Sequence, residues 1–139
     1  MTPKAIVGEF IINGQADFVA RACDDGFVSF YSDDMPADIE REPPSETLLA
    51  RARFASKAFG AAKDGVIEAN KAERTQAVRT GDPKYFRATT KDGKLAFAGT
   101  AGTKQDDGSR PNFLLNAKTF VEGQFVDISG MKYAVPRKF

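Results

Sequence analysis

Residues 84–100 of the chain read KYFRATTKDGKLAFAGT, which is two alternating segments separated by a turn. Phe86 and Ala88 alternate with Tyr, Arg and Thr in the first segment, and Leu95 and Phe97 alternate with alanines in the second. The Asp-Gly pair at residues 92–93 supplies the positive φ angles that a tight hairpin turn requires. The stretch therefore predicts an antiparallel β-hairpin with one apolar face.

Similar glycine-containing turn signals recur along the chain. Asn-Gly, Asp-Gly, Glu-Gly and Ser-Gly pairs stand at residues 13–14, 25–26, 64–65, 107–108, 122–123 and 129–130, each between short apolar or alternating segments. Nine candidate strands result, at residues 4–12, 16–22, 27–31, 47–54, 66–70, 84–90, 94–100, 112–115 and 124–135. We therefore expect an all-β fold, a jelly-roll-like antiparallel β-sandwich of about eight or nine short strands that forms one domain over residues 1–139.

Residues 47–79 fit two descriptions. Ser45 could cap a helix with one apolar face, formed by Leu48, Leu49, Ala52, Ala55 and Phe59. Strict alternation describes residues 48–54 equally well, and it predicts a strand with Arg51 and Arg53 on one face. Residues 66–79 are rich in Ala, Glu, Lys and Gln, so a helical turn or two after Asn70 also fits. The residues alone leave both descriptions open.

Two segments are predicted to be surface loops, and the chain end forms a third polar segment. Residues 32–46 combine many acidic residues with Pro36, Pro43 and Pro44, which is typical of a long acidic loop. Residues 103–111 are polar and contain Gly and Pro. Residues 137–139, Arg-Lys-Phe, follow a proline and form either a frayed terminus or an arm that docks on a neighbour.

The charges are balanced overall but segregated along the chain. Twenty basic and nineteen acidic residues give a net charge of +1, so the strong basic excess of a phosphate-binding protein is missing and nucleic acid is not the expected partner. Residues 1–46 carry a net charge of −7 and residues 47–139 a net charge of +8. Either the acidic loop is simply solvated, or the two regions steer assembly with a partner.

The composition also bears on compartment. Cys23 is the single cysteine, which excludes an intrachain disulfide and predicts an ordinary buried or half-buried thiol in a protein that folds in a reducing cytoplasm. No apolar run approaches the ~20 residues of a membrane span, so no membrane partner is expected. The N-terminal sequence lacks the basic-then-apolar pattern of a signal peptide.

Few residues point to catalysis or to a metal. Histidine is absent, which excludes Ser-His-Asp and Cys-His triads. The acid pairs at residues 24–25, 33–34 and 106–107 lie beside turns, where Asp usually bonds its own backbone. A calcium site from Asp33, Asp34, Asp38 and Glu40 would lack the Asp-x-Asp-x-Asp-Gly spacing. We therefore expect no enzyme activity, no cofactor and no metal.

The aromatic content leaves one further alternative. Twelve phenylalanines and three tyrosines, some beside Arg as in Tyr85-Phe86-Arg87, could form a stacking platform for single-stranded nucleic acid. Such aromatics more often form core and cross-strand pairs. The balanced charge also disfavours the nucleic-acid alternative.

Residues 27–136 resemble a family of small β-sandwich structural proteins encoded among the virion genes of tailed bacteriophages. The resemblance rests on short pieces of sequence: Leu48-Leu49, Ala58-Phe59-Gly60-Ala61-Ala62, Gly65-Val66, Tyr85-Phe86-Arg87, and Asp92-Gly93 followed by Gly99-Thr100. It implies a capsid cement, or decoration, protein on the outer capsid surface, made in the host cytoplasm, with the phage major capsid protein as partner. It also favours the strand description of residues 47–54 and leaves a tail-associated receptor- or glycan-binding protein as an alternative.

A cement protein needs surfaces for neighbours, and we expect a homodimer. The predicted strand at residues 4–12 is more apolar than an exposed edge can leave uncovered, which makes Ile6, Phe10 and Ile12 candidate interface residues. Arg137, Lys138 and Phe139 complete the candidate interface as a C-terminal arm, an aromatic anchor flanked by cations.

Overall fold

The computed structural model describes residues 8–102, 113–115, 118–126 and 131–134. These residues form one helix, one 3-10 turn (Ser45–Thr47) and nine strands: α1 (Glu9–Ala22), β1 (Phe27–Tyr31), β2 (Leu48–Arg53), β3 (Val66–Glu68), β4 (Thr75–Gln76), β5 (Tyr85–Thr89), β6 (Leu95–Gly102), β7 (Phe113–Leu114), β8 (Phe125–Val126) and β9 (Lys132–Ala134).

The strands form one main sheet and two small ones. The main sheet has the order β2-β1-β5-β6-β7, antiparallel throughout except for the parallel pair β6–β7. β3 pairs with β9, and β4 pairs with β8, both antiparallel. The all-β, antiparallel, sandwich-like class predicted from the sequence is confirmed, with one helix added to it.

The hairpin at residues 84–100 forms as predicted. Its turn is a three-residue loop in which the Gly93 N–H donates to the Thr90 carbonyl at 2.9 Å, and Gly93 has φ +86°. The Thr90 N–H donates to the Lys94 carbonyl at 2.8 Å and closes the loop. Next to this loop the strand register shifts between Ala88 and Thr89, since Ala88 lies opposite Phe97 and Thr89 lies opposite Leu95. This bulge leaves Phe97 on the same face as Phe86 and Ala88.

The two faces of the main sheet differ in chemistry. Cross-strand partners place an apolar set on the inner face: Val28, Phe30, Ala50, Ala52, Phe86 and Ala88, all buried. Phe30 lies at its centre, with ring centroids 6.4 Å from Phe86 and 5.7 Å from Phe120. The outer face carries Ser29 between Arg51 and Arg87, and the stacked pair Tyr31 and Tyr85, whose centroids lie 5.2 Å apart. The inner face is therefore the core side of the sheet.

Residues 48–53 are a strand and not a helix. Arg51 and Arg53 are exposed, whereas Ala50 and Ala52, which alternate with them, are buried, as alternation predicts. A bulge interrupts the pattern, because Phe30 pairs with Ala50 and Tyr31 pairs with Leu48. The extra residue, Leu49, is therefore buried instead of facing the arginine side.

The segment between β2 and β4 is held by a tight hairpin. Asp64 and Gly65 both have positive φ angles, 54° and 75°, as a type I′ turn requires. Lys63 and Val66 exchange both backbone hydrogen bonds at 2.9 Å. Phe59 and Ile67 are buried on this hairpin, and no helix follows it within the part of the chain that the structure describes. The alternative of helical turns after residue 70 is therefore wrong.

The N-terminal strands predicted at residues 4–12 and 16–22 are wrong where the structure describes them. Residues 9–22 form α1, which runs through the Asn-Gly pair that had predicted a hairpin. Ile12, Ala16 and Ala20 follow helical spacing and are buried, so the apolar periodicity that matters here is four residues, not two. The Asn13 side chain accepts the Gly65 N–H at 2.8 Å, a partner that a local turn signal does not reveal.

Residues 32–46 form the predicted acidic surface loop. No strand occurs in it, and the Ser32 N–H donates to the Thr47 carbonyl at 2.9 Å, which closes its two ends. The loop lies over the Tyr31–Tyr85 end of the outer face, where Asp33, Asp34 and Tyr85 line a cavity of about 110 Å³. Desolvation by burial raises the pKa of Tyr85 above its usual value of 10.0.

Replacing Phe30 by Ala is expected to destabilise the fold by about 3–5 kcal/mol, because it empties the centre of the core where Phe86 and Phe120 meet. Urea unfolding followed by circular dichroism measures this free energy. Phe125 is the matched control, since it is 53% exposed and the Arg74 guanidinium lies over its ring at 4.1 Å from the centroid. Phe125→Ala is expected to cost less than ~1 kcal/mol, and an equal loss in both variants would contradict the assigned core.

Cys23 is expected to resist thiol reagents while the protein is folded. Its side chain is buried, and burial raises the pKa of its thiol from 9.0 to about 12, so almost no reactive thiolate exists at pH 8. Because the folded pKa exceeds the unfolded value, this group's contribution to stability is complete below pH 9 and is lost as the pH rises toward 12. Labelling by a chromogenic disulfide is measured in buffer and in urea. Equal rates in the two would refute the burial.

Candidate functional site

Only one of the six candidate interface residues lies exposed on the described surface. Phe10 is 80% exposed near the start of α1. Ile12 is fully buried on the opposite side of the same helix, so its assignment to the interface is wrong. The reason is the change from strand to helix, since residues two apart share a strand face but not a helix face. Ile6, Arg137, Lys138 and Phe139 lie outside the described residues, and their roles stay predictions.

The exposed side of α1 carries an apolar strip that the sequence reading did not identify. Phe10 and Phe18 are spaced eight residues apart with Gly14 midway, and Ile11 lies beside them. Phe18 is 67% exposed and Ile11 is 42% exposed. We call these four residues, Phe10, Ile11, Gly14 and Phe18, the α1 stripe.

Side-chain hydrogen bonds fix the α1 stripe in its outward position. Asn13 Oδ1 accepts the Gly65 N–H at 2.8 Å, and Asp17 Oδ1 accepts the Ala62 N–H at 3.0 Å. The buried face of the helix adds Ile12, Ala16 and Ala20 to this attachment. The helix is thus anchored to the 60–65 segment on one side, and the stripe faces solvent on the other.

Nothing in the described part of the chain requires a glycine at position 14. A Cβ built on it meets no atom within 4 Å, and its φ is not in the left-handed region. Glycine inside a helix is about 1 kcal/mol less favourable than alanine. A small residue between two exposed phenylalanines instead suits a surface that a neighbouring backbone approaches closely.

A second surface feature is a groove on the outer face of the main sheet. It has a volume of about 430 Å³ and runs from the acidic loop to the β5–β6 turn. Its charged lining consists of the cations Arg51, Arg87 and Lys91 and the carboxylates Glu42 and Asp92. Phe27, Pro43 and Leu48 supply apolar wall. We call it the arginine groove.

Acidic residues are used for structure wherever the described residues contain them in pairs. Asp24 accepts the Ala58 N–H at 2.8 Å, and Asp25 lies 3.6 Å from the Arg53 guanidinium. Asp33 accepts the Asp34 N–H at 3.0 Å, and Asp34 lies 3.6 Å from Lys84 Nζ. No group of three or more His, Cys, Asp or Glu side chains suited to a metal occurs among the residues described. The pair at residues 106–107 lies outside them.

The aromatic pair beside Arg87 does not form a stacking platform for nucleic acid. Tyr85 lies beneath the acidic loop and Phe86 lies in the core, and both are buried.

The described part of the chain has no helix long and apolar enough to cross a membrane. Comparison with known protein families, with curated proteins and with solved structures finds no match to this chain.

Gly14→Ala is expected to stabilise the isolated protein by about 1 kcal/mol, because the new methyl group enters open space and alanine favours the helix. The matched control is Gly93→Ala, where space is also open but φ is +86°. That control is expected to destabilise by about 1 kcal/mol or more, since alanine is strained at positive φ. Urea unfolding at low protein concentration measures both, and a loss of stability in Gly14→Ala would show that this glycine is required within the monomer.

Proposed function

We propose that the chain is a structural virion protein that binds the outside of a phage capsid and cements neighbouring major capsid subunits. The observation that supports this most is the α1 stripe, two exposed phenylalanines on a helix that side-chain hydrogen bonds hold in place. A surface of this kind serves binding and not catalysis. The resemblance of residues 27–136 to virion β-sandwich proteins is the reason for proposing the major capsid protein as the partner.

The energetics suit a module present in many copies. Burying one exposed phenylalanine contributes about 1.5–3 kcal/mol, so two of them supply a modest affinity per copy. A protein that binds folded capsid subunits, and not loosened ones, stabilises the shell by mass action. Modest affinity at every site is then sufficient for a cement.

We further propose that free copies, which are not bound to a capsid, pair through the α1 stripe. Phe10 and Phe18 lie at equal distances on either side of Gly14, so the strip matches itself when a second helix runs antiparallel across it. A two-fold interface requires this kind of self-complementarity. The small residue at the crossing point lets the two helix backbones approach each other.

The alternative, a tail-associated receptor- or glycan-binding protein, is favoured by a different observation. The arginine groove combines apolar wall with a few charged groups, as small-molecule sites do. The number of copies in the particle distinguishes the two functions. Gel densitometry of purified virions would give hundreds of copies for a capsid position and a few to dozens for a tail position.

Phe10→Ser combined with Phe18→Ser is expected to lower occupancy on capsids that lack the protein by at least ~10-fold, because apolar area is lost at both anchors. Val121→Ser is the matched control, since Val121 is an exposed apolar residue outside the stripe. Bound copies are measured by gel densitometry after sedimentation of the capsids. Full occupancy by the double variant would exclude the stripe as the contact.

The same variants also test pairing in the absence of capsids. Sedimentation velocity is expected to show a dimer for the original chain and the Val121→Ser control, and a monomer for the double variant.

Rising salt is expected to weaken capsid binding, since contacts from the −7 and +8 segments are screened over ~8 Å at physiological ionic strength. Binding that is unchanged up to molar salt would leave apolar contacts as the whole interface.

A further inference from the structure

We infer that the arginine groove is a binding site for a ligand with one carboxylate and several hydroxyl groups, the chemical class of the sugar acids. This goes beyond the proposed cementing function, because the groove and the α1 stripe involve different residues.

Arg87 is a charge without a partner among the residues that the structure describes. Only 8% of its surface is exposed, its Nε has no hydrogen bond, and no ion pair reaches it from the described residues. Leaving a buried charge uncompensated is costly, and arginine is seldom buried unless it is paired. The sheet therefore holds a guanidinium beside an open groove, where an anion would supply the missing partner.

A second arginine lies two strands away on the same row. Ser29 pairs directly with Arg51 on one side and with Arg87 on the other. The Arg51 Nε donates to Ser29 Oγ at 2.9 Å, which orients that guanidinium and leaves its terminal nitrogens available. Two guanidinium groups on the strands that flank β1, with the Ser29 hydroxyl between them, form a surface suited to carboxylate or phosphate.

The charge balance favours a single negative charge. The lining carries three cations, Arg51, Arg87 and Lys91, and two carboxylates, Glu42 and Asp92. A net charge of about +1 suits a monoanion such as a carboxylate better than a phosphate, which carries close to two charges at neutral pH. The two acidic side chains would repel any further anionic group on the ligand.

The rest of the lining suits hydroxyl groups and a compact ring. Ionised Glu42 and Asp92 are acceptors only, so a ligand must offer them donors, and sugar hydroxyls do so. Phe27, Pro43 and Leu48 give apolar wall for the C–H face of a ring. The volume of about 430 Å³ lies within the range of about 300–1,000 Å³ that is usual for small-ligand sites.

Isothermal titration calorimetry of the full chain with galacturonate tests the inference. We expect saturable binding of galacturonate, none of galactose, and binding of inorganic phosphate at least ~10-fold weaker. A short glutamate-containing peptide is also titrated, and we expect it to bind more weakly than galacturonate. Absence of saturable galacturonate binding, equal binding of galactose, or tighter binding of phosphate or of the peptide would each overturn the sugar-acid assignment.

Two variants locate the binding. Arg87→Lys keeps the charge but loses the guanidinium fork, and Arg51→Gln removes an exposed charge with little risk to folding. Each substitution is expected to weaken galacturonate binding roughly 10- to 100-fold, because charge-assisted hydrogen bonds to the ligand are lost. Arg53→Gln is the matched control, since Arg53 lies on the same strand, pairs with Asp25 and does not line the groove.

Circular dichroism and thermal unfolding accompany each variant. If Arg87→Lys fails to fold, Arg51→Gln alone decides the location. Binding unchanged in Arg51→Gln, or weakened as much in Arg53→Gln, would place the ligand elsewhere and overturn the site.

Discussion

A continuous chain of aromatic contacts is what the rest of the structure depends on. Five successive ring pairs lie with centroids 5.6–6.4 Å apart, in the order Phe120, Phe30, Phe86, Phe97, Phe59 and Phe54. Tyr133 of β9 joins this chain at Phe97, with centroids 4.8 Å apart. Two-stranded sheets are marginal by themselves, so the small sheets need such an attachment to the main sheet. The tilted and edge-to-face geometries are those that aromatic pairs favour.

The sequence predicted the fold wherever turn chemistry and alternation agree over short distances. The Asp92-Gly93 hairpin and the Asp64-Gly65 turn follow from φ preferences and from the neighbouring residues alone. The N-terminal helix did not follow, because its Asn13-Gly14 pair is a turn signal in isolation. What outweighs the signal is non-local: Asn13 bonds a residue 52 positions later, and α1 packs against β3. Neither contact can be predicted from the local sequence pattern.

The candidate surfaces were less predictable than the strands. Alternation in β2 correctly assigned Arg51 to an exposed face, but it did not reveal that Ser29 and Arg87 share its row. Rows across a sheet depend on register, and two bulges shift register here, one at Leu49 and one beside Thr89. The α1 stripe is hidden for a simpler reason, since the sequence pattern places Phe10 and Phe18 in two different predicted strands and Gly14 in the turn between them. Read at helical spacing, Phe10, Gly14 and Phe18 would have been recognisable as one strip.

The segregation of charge along the chain is partly used within the fold. The acidic loop lies over the outer face of the main sheet, with Asp34 near Lys84, and it contributes Glu42 to the arginine groove. The acidic loop does not cover the whole outer face. Tyr85 lies beneath the loop, whereas the neighbouring Arg87 has an Nε with no hydrogen bond. The groove is therefore the part of a cationic face that the chain's own acidic segment leaves open. The α1 stripe, by contrast, belongs to a helix whose buried alanines join the core on the inner side of the same sheet. A copy bound through the stripe would thus keep its groove open to a ligand, so cementing and ligand binding need not compete.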